Sequence, residues 1–202
     1  MSLPFLESER TQGKTMPETV AVVAVDWTES LQQATAEVFQ MMLGCEIETL
    51  AGSNSSEPNA ESVGGSAAQP AWIEVLFRRD LPADPGQDIE VTAVVGIAGE
   101  LCGVFKFACG TSAARMMAAR MLGITEAEAG DQQWDAIGEI CNMVAGNFKS
   151  KLPGIGERCM LSVPTIVVGS NYRLRTVAAK RRLEYRFLVQ GAPLRVTLEL
   201  QH

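Results

Sequence analysis

The chain has 202 residues, of which 47% are hydrophobic and 20% charged, and a formal net charge of −7. That balance supports a packed core and excludes a disordered polyelectrolyte, and its sign argues against general nucleic-acid binding. The single histidine, His202, is the last residue, so Ser-His-Asp, Cys-His and His-rich metal chemistry lack their central side chain.

Other classes fall away on motif grounds. No G-x-x-x-x-G-K-[ST] loop is present, and no run of 18 apolar residues predicts a membrane span. The segment "MSLPFLESERTQGK" lacks the basic and apolar regions of a secretory signal. Five scattered cysteines, Cys45, Cys102, Cys109, Cys141 and Cys159, form no C-x-x-C pair, which predicts reduced thiols in a cytoplasmic protein. Charge is uneven: residues 149–202 hold 3 acidic and 10 basic residues. The cations are spaced along strand-like sequence, and the triplet Lys180, Arg181, Arg182 reads as the solvated start of a strand.

Residues 1–17 read as a loose tail, and "TVAVVAV" (19–25) as a first strand. "DWTESLQQATAEVFQMMLG" predicts an amphipathic helix, with Leu31, Ala34, Val38, Met41 and Met42 at helical spacing. Asp26 with Glu29 resembles a capping box, and Gly44 a helix stop. The Ser/Gly/Asn-rich stretch 51–70 predicts a disordered insertion. "AWIEVLF" (71–77) is β-prone, and "DIEVTAVVGIAGELCGVFKFAC" predicts two strands meeting at Gly99-Glu100. A helix at about 111–123 follows, starting at a Thr or Ser cap and ending at Gly123, then a longer one from about Asp131 to Leu152. Beyond Pro153-Gly154, "CMLSVPTIVVG", "RRLEYRFLV" and "LRVTLELQ" read as strands, the last two joined around Gln190-Gly191-Ala192-Pro193. Helices and strands mix without strict βαβ alternation, which predicts an α+β fold with a largely antiparallel sheet and a few helices. The expected organisation is a single domain over 18–202 behind the tail.

The helix at 131–152 is the chemically unusual element. At about 100° per residue, Trp134, Ile137, Ile140, Cys141, Val144, Phe148 and Leu152 form an apolar face. Asp135, Gly138, Glu139, Asn142, Gly146 and Lys149 fall on the other side. Glu139 and Asn142, three apart, are neighbours on that surface. Each interior glycine costs about 1 kcal/mol relative to alanine, and the two flank Asn142 at four residues on either side. A solvated helix face accommodates such a pattern, as does a strip kept bare for the approach of another molecule.

"EICNMVAGN" resembles the E-x-x-N-M-x-x-G signature of the CheX family of chemotaxis phosphatases. The order of hairpin ("VVGIAGELCGVFKFAC"), helix ("AARMMAARMLG") and signature helix ("WDAIGEICNMVAGNFKSKL") is similar to that family over roughly 88–200, and more loosely over 28–44. The resemblance implies a CheX/CheC-like fold and an aspartyl-phosphate phosphatase in two-component signalling. Its partner would be a phosphorylated response regulator receiver of the CheY type. It implies that Asn142 orients the attacking water and Glu139 pairs with the receiver's lysine, while Asp135, Gly138, Gly146 and Lys149 meet the partner. No cofactor of its own is expected; Mg²⁺ would sit in the receiver's site. The related CheC proteins carry a second E-x-x-N on the first helix. Here that position reads Glu37-Val38-Phe39-Gln40, taken as a plain solvated face. The resemblance also implies a homodimer, with the late strands offering edges. The alternative is a non-catalytic adaptor that binds a receiver or dimerises.

Overall fold

Asp26 opens the first helix by accepting hydrogen bonds from the amides of Thr28 (2.9 Å) and Glu29 (3.3 Å), two donors that a first helical turn leaves unpaired. The computed structural model describes residues 26–55, 90–170, 172, 174, 176, 177 and 179–201. The expected tail, the strands at 19–25 and 71–77, and the insertion beyond residue 55 lie outside them. Helix α1 (Trp27–Val38) continues into a π-helical turn, Phe39–Leu43, ended by Gly44 at φ 59°. The wider turn breaks the 3.6-residue period. Leu31, Ala34 and Val38 are buried as expected, but Phe39 and Leu43 then take the core positions, leaving Met41 69% and Met42 45% exposed. The expectation that both methionines face the core is thereby corrected.

Strand β1 (Ile47–Ser55) pairs antiparallel with β6 (Arg181–Val189) from Ile47–Val189 to Ser55–Arg182. Residues 51–55, expected to be disordered, are thus strand. Strand β6 supplies their backbone partners, and a side chain at Gly52 would collide with the Tyr185 ring. The hairpin β2 (Glu90–Gly99) and β3 (Gly103–Gly110) forms where Gly99-Glu100 predicted it. Strands β6 and β7 (Ala192–Leu200) meet at Gln190 and Gly191, both at positive φ, the backbone that a two-residue hairpin turn requires. All described pairings are antiparallel, in the order β1-β6-β7-β3-β2-β4 (β4 Cys159–Leu161), with β5 (Thr165–Gly169) also on β2. Of the late strands, β6 and β7 lie inside the sheet. Among the described residues, its edges are β1 and the β4–β5 segment.

Helix α2 (Thr111–Leu122) starts after Gly110, not at a Thr or Ser cap, and stops at Gly123 in the left-handed region. A short α3 (Glu126–Ala129) carries a reciprocal Thr125–Glu128 capping box, and α4 (Gln132–Ser150) follows. The long helices and the inner sheet face share one core, including Leu31, Phe39, Met117, Ile137, Phe148, Phe105, Phe187 and Leu194.

The opposite sheet face follows from the strand period of two. In β7, Leu194, Val196, Leu198 and Leu200 alternate with Arg195, Thr197 and Glu199, and all seven are buried. The charged members of that face pair with one another: Lys106 and Arg182 with Glu199, Arg182 and Arg186 with Glu184, and Arg195 with Glu90. Burial works against ionised Glu184 and Glu199, yet the surrounding cations hold both carboxyls below the usual range. Of the cations in the C-terminal quarter, Arg182, Arg186 and Arg195 are thus held in these pairs. Arg181, from the basic triplet, lies over the Trp27 ring at 4.8 Å.

Candidate functional site

Helix α4 is fixed on three sides. Its apolar face is buried as the period predicts: Ile137, Ile140, Cys141, Val144, Phe148 and Leu152 are each at most 1% exposed. Burial pushes the Cys141 thiol far up, and the Cys45 thiol up as well, so neither is a ready nucleophile. All five cysteines are free thiols.

Toward α1, Asn147 donates to the Ala34 carbonyl (3.2 Å) and to Glu37 Oε2 (2.8 Å), and Lys151 Nζ donates to Glu37 Oε1 (2.8 Å). Lys151 and Asn147 together hold the Glu37 carboxyl below its usual range. Glu37 is therefore a clamp between two helices, not part of a plain solvated face, while Gln40 stays exposed. No local signal marks this clamp, because its partners lie 110 and 114 residues away.

Toward the sheet edge, α4 meets β4 and β5. A side chain at Gly138 would find Pro164 Cβ at 3.3 Å and Ile166 Cδ1 at 3.4 Å, whereas one at Gly146 would find only Leu161 Cδ1 at 4.0 Å. Gly138 is buried, so its bare surface is filled by this chain's own strand. The expectation that it lies on the open strip is corrected: the helix period placed it at the margin, and β5 closes over that margin. Lys149 leans the same way, its ammonium donating to the Cys159 carbonyl at 2.6 Å.

The strip that remains open holds Asp135 and Glu139, both exposed, with Asn142 and Gly146 half-buried. Among the described residues, no hydrogen bond or ion pair engages the side chains of Glu139 or Asn142. A carboxylate and an amide thus stand side by side on a rigid helix, both free for a partner. The carboxylate accepts charge-assisted bonds, and the amide both donates and accepts. Among the described residues, no group of His, Cys, Asp and Glu could hold a metal ion, and no helix is long and apolar enough to cross a membrane.

This architecture, an antiparallel sheet covered by helices, is similar to that of CheX, CheC-like and FliY proteins of known structure. Residues 91–188 match the family model for chemotaxis phosphatase CheX, and over that stretch the chain is similar to this family. The crystal structure of chemotaxis protein CheX from Desulfovibrio desulfuricans superposes with a TM-score of 0.60 at 18% identity, covering 87% of this chain and 99% of that one. CheX in the CheX–CheY–BeF₃–Mg²⁺ complex from Borrelia burgdorferi gives 0.60 at 19% identity, covering 88% and 99%. FliY from Thermotoga maritima gives 0.53 at 15%, covering 89% and 91%. At such identities the likeness to these structures is one of fold. No curated protein matches the sequence significantly.

Proposed function

We propose that this chain is a protein phosphatase acting on the aspartyl phosphate of a CheY-type receiver, with one site per chain. The observation that carries this reading is the pair Glu139 and Asn142. It lies inside the segment matched to CheX, on the outward strip of α4, and neither side chain is bonded within the described chain. The Borrelia CheX relative is seen bound to CheY with BeF₃ and Mg²⁺, which supports a receiver as the partner.

In this reading Glu139 pairs with the receiver's active-site lysine and sets the register of the complex. Asn142 reaches the phosphoryl group and holds a water in line with it. The water oxygen bonds to phosphorus as the bond from phosphorus to the aspartyl oxygen breaks, releasing inorganic phosphate and restoring the carboxylate. An amide is no general base, so its role is alignment, which is most of what phosphoryl transfer asks of a protein. The receiver brings its own Mg²⁺. Asp135 and Gly146 line the same strip and face the partner. Gly138 and Lys149 act behind it, seating the β4–β5 edge. Glu37 is bound to Lys151 and Asn147, which leaves no second site on α1.

The test is the decay of a phosphorylated receiver from the same cell. Wild type should accelerate it, and Asn142→Ala should lower the accelerated rate on the order of 10²-fold while binding persists. Glu139→Ala should weaken binding more than it slows the bound complex. If wild type accelerates no receiver but still binds one, the adaptor reading replaces this one. A homodimer, joined through the edge strands β1 or β4–β5, belongs to the same proposal, and light scattering of the purified chain reads it directly.

A further inference from the structure

The outer strand beside α4 is not continuous. β4 pairs Leu161 with Ile97 and β5 pairs Thr165 with Val94, so four steps along the outer strand oppose three along β2. One extra residue is accommodated at Ser162-Val163-Pro164, a β-bulge on an edge strand, where proline's missing donor is tolerated. The bulge is pinned. The Ser162 amide donates to the Gly96 carbonyl at 2.9 Å, the Gly96 amide donates to Ser162 Oγ at 2.8 Å, and that hydroxyl donates to the Val163 carbonyl at 3.0 Å. Its flanks are seated on α4, Leu161 against Gly146 and Pro164 against Gly138. Val163 lies between these two contacts, which are about 12 Å apart along the helix, and so runs alongside the Gly138–Gly146 span that carries Glu139 and Asn142. Pro164 is half-buried and Ser162 exposed; Val163 is 84% exposed, and Met160 (73%) and Val168 (45%) are exposed along the same edge.

We propose that Val163 is an apolar anchor for the receiver on the proposed phosphatase face, positioned by the bulge so that Asn142 meets the phosphoryl group. This rests on the receiver-phosphatase reading and extends it to the docking contact. Two facts argue for this occupant. The bulge spends three hydrogen bonds and a helix glycine on holding an aliphatic side chain in solvent, where it contributes nothing to folding. It also borders the helix span, Gly138 to Gly146, that carries the two polar side chains left unbonded among the described residues. An apolar anchor next to a charged and an amide contact is the usual make-up of an interface centre. The complementary surface is an apolar depression on the receiver beside its phosphorylated aspartate and lysine. In this arrangement Gly138 acts through Pro164, letting the bulge approach the helix, and does not touch the partner.

The experiment titrates wild type, Val163→Asp, Val163→Ala and Asn142→Ala against a CheY-type receiver from the same cell, activated with beryllofluoride and Mg²⁺. Receiver dephosphorylation is followed in parallel at saturation. Val163→Ala should weaken binding about tenfold, since two buried methyls are lost, and Val163→Asp should weaken it further. The saturated hydrolysis rate of Val163→Ala should stay within about twofold of wild type. Thermal midpoints should not move, because the side chain is solvated in the free protein. Val163→Asp binding as tightly as wild type overturns the anchor and leaves the phosphatase reading standing. Wild type that binds no activated receiver overturns both.

Discussion

Gly146→Ala isolates the cost of the open strip. In a helix interior the change from glycine to alanine contributes about 1 kcal/mol, and Gly146 lies well inside α4 (Gln132–Ser150). The added Cβ meets only Leu161 Cδ1, at 4.0 Å, an ordinary contact that adds a fraction of the roughly 0.8 kcal/mol of a fully buried methylene. Gly146→Ala should therefore stabilise by about 1 kcal/mol, or raise the thermal midpoint by about 2–4 °C for a chain of this size. Gly138→Ala gains the same propensity but must place its Cβ 3.3 Å from Pro164 Cβ and 3.4 Å from Ile166 Cδ1. The isoleucine tip can yield, whereas the proline sits on a pinned bulge, so overpacking of about 1–3 kcal/mol opposes the gain. Gly138→Ala should come out less stable than Gly146→Ala by about that amount. Urea denaturation of both variants and wild type is the assay, with midpoints compared at unchanged slope. Equal stabilisation by both changes would refute the assignment of Gly138 to internal packing. A destabilising Gly146→Ala would refute the open strip itself.

Two further expectations concern charge. Glu184 sits between Arg182 and Arg186 with its side chain 11% exposed, so Glu184→Gln should cost about 2 kcal/mol, less than a fully buried pair because both cations keep some water; thermal denaturation reads it. The folded-state carboxyls of Glu37, Glu184 and Glu199 are held below their usual range. Their stabilisation is therefore complete above the unfolded value and lost as pH falls through the folded one, so midpoints recorded from neutral pH downward should drop through the carboxylate range. Lys151→Met should flatten only Glu37's part of that slope, costing less than about 1 kcal/mol at neutral pH since the pair is partly exposed.

The two hairpins were legible in the sequence because their information is local. Gly99-Glu100 and Gln190-Gly191 mark chain reversals between β-prone runs, and the positive φ at Gln190 and Gly191 is what such a pair supplies. Features set by distant partners were not legible. Residues 51–55 carry no strand composition, and their strand exists because β6 offers a ladder and Tyr185 lies over Gly52. The π turn at Phe39–Leu43 moves Met41 and Met42 outward by changing the period itself, so any extrapolation at 100° per residue fails beyond Val38. The run "CMLSVPTIVVG" reads as strand throughout, and the fold breaks it at Pro164 into β4 and β5. That the break seats against Gly138 depends on a helix more than twenty residues earlier.

The site shows the same division. Helical period alone put Glu139 and Asn142 together on the polar side of α4, and the fold keeps them there. The period could not separate Gly138 from Gly146, since a helix wheel treats both as margins of one strip; the β4–β5 edge tells them apart. One glycine is used inside the chain and the other borders solvent, so stability gives no common reason for keeping both. Nor does it give a reason for Asn142. Its amide takes no part in the described hydrogen bonds, and asparagine is a poorer helix former than alanine. Replacing it with alanine should leave folding unchanged or slightly improved. A large loss of receiver dephosphorylation in the same variant would then lie wholly in the complex, since no described residue of the chain bonds the amide.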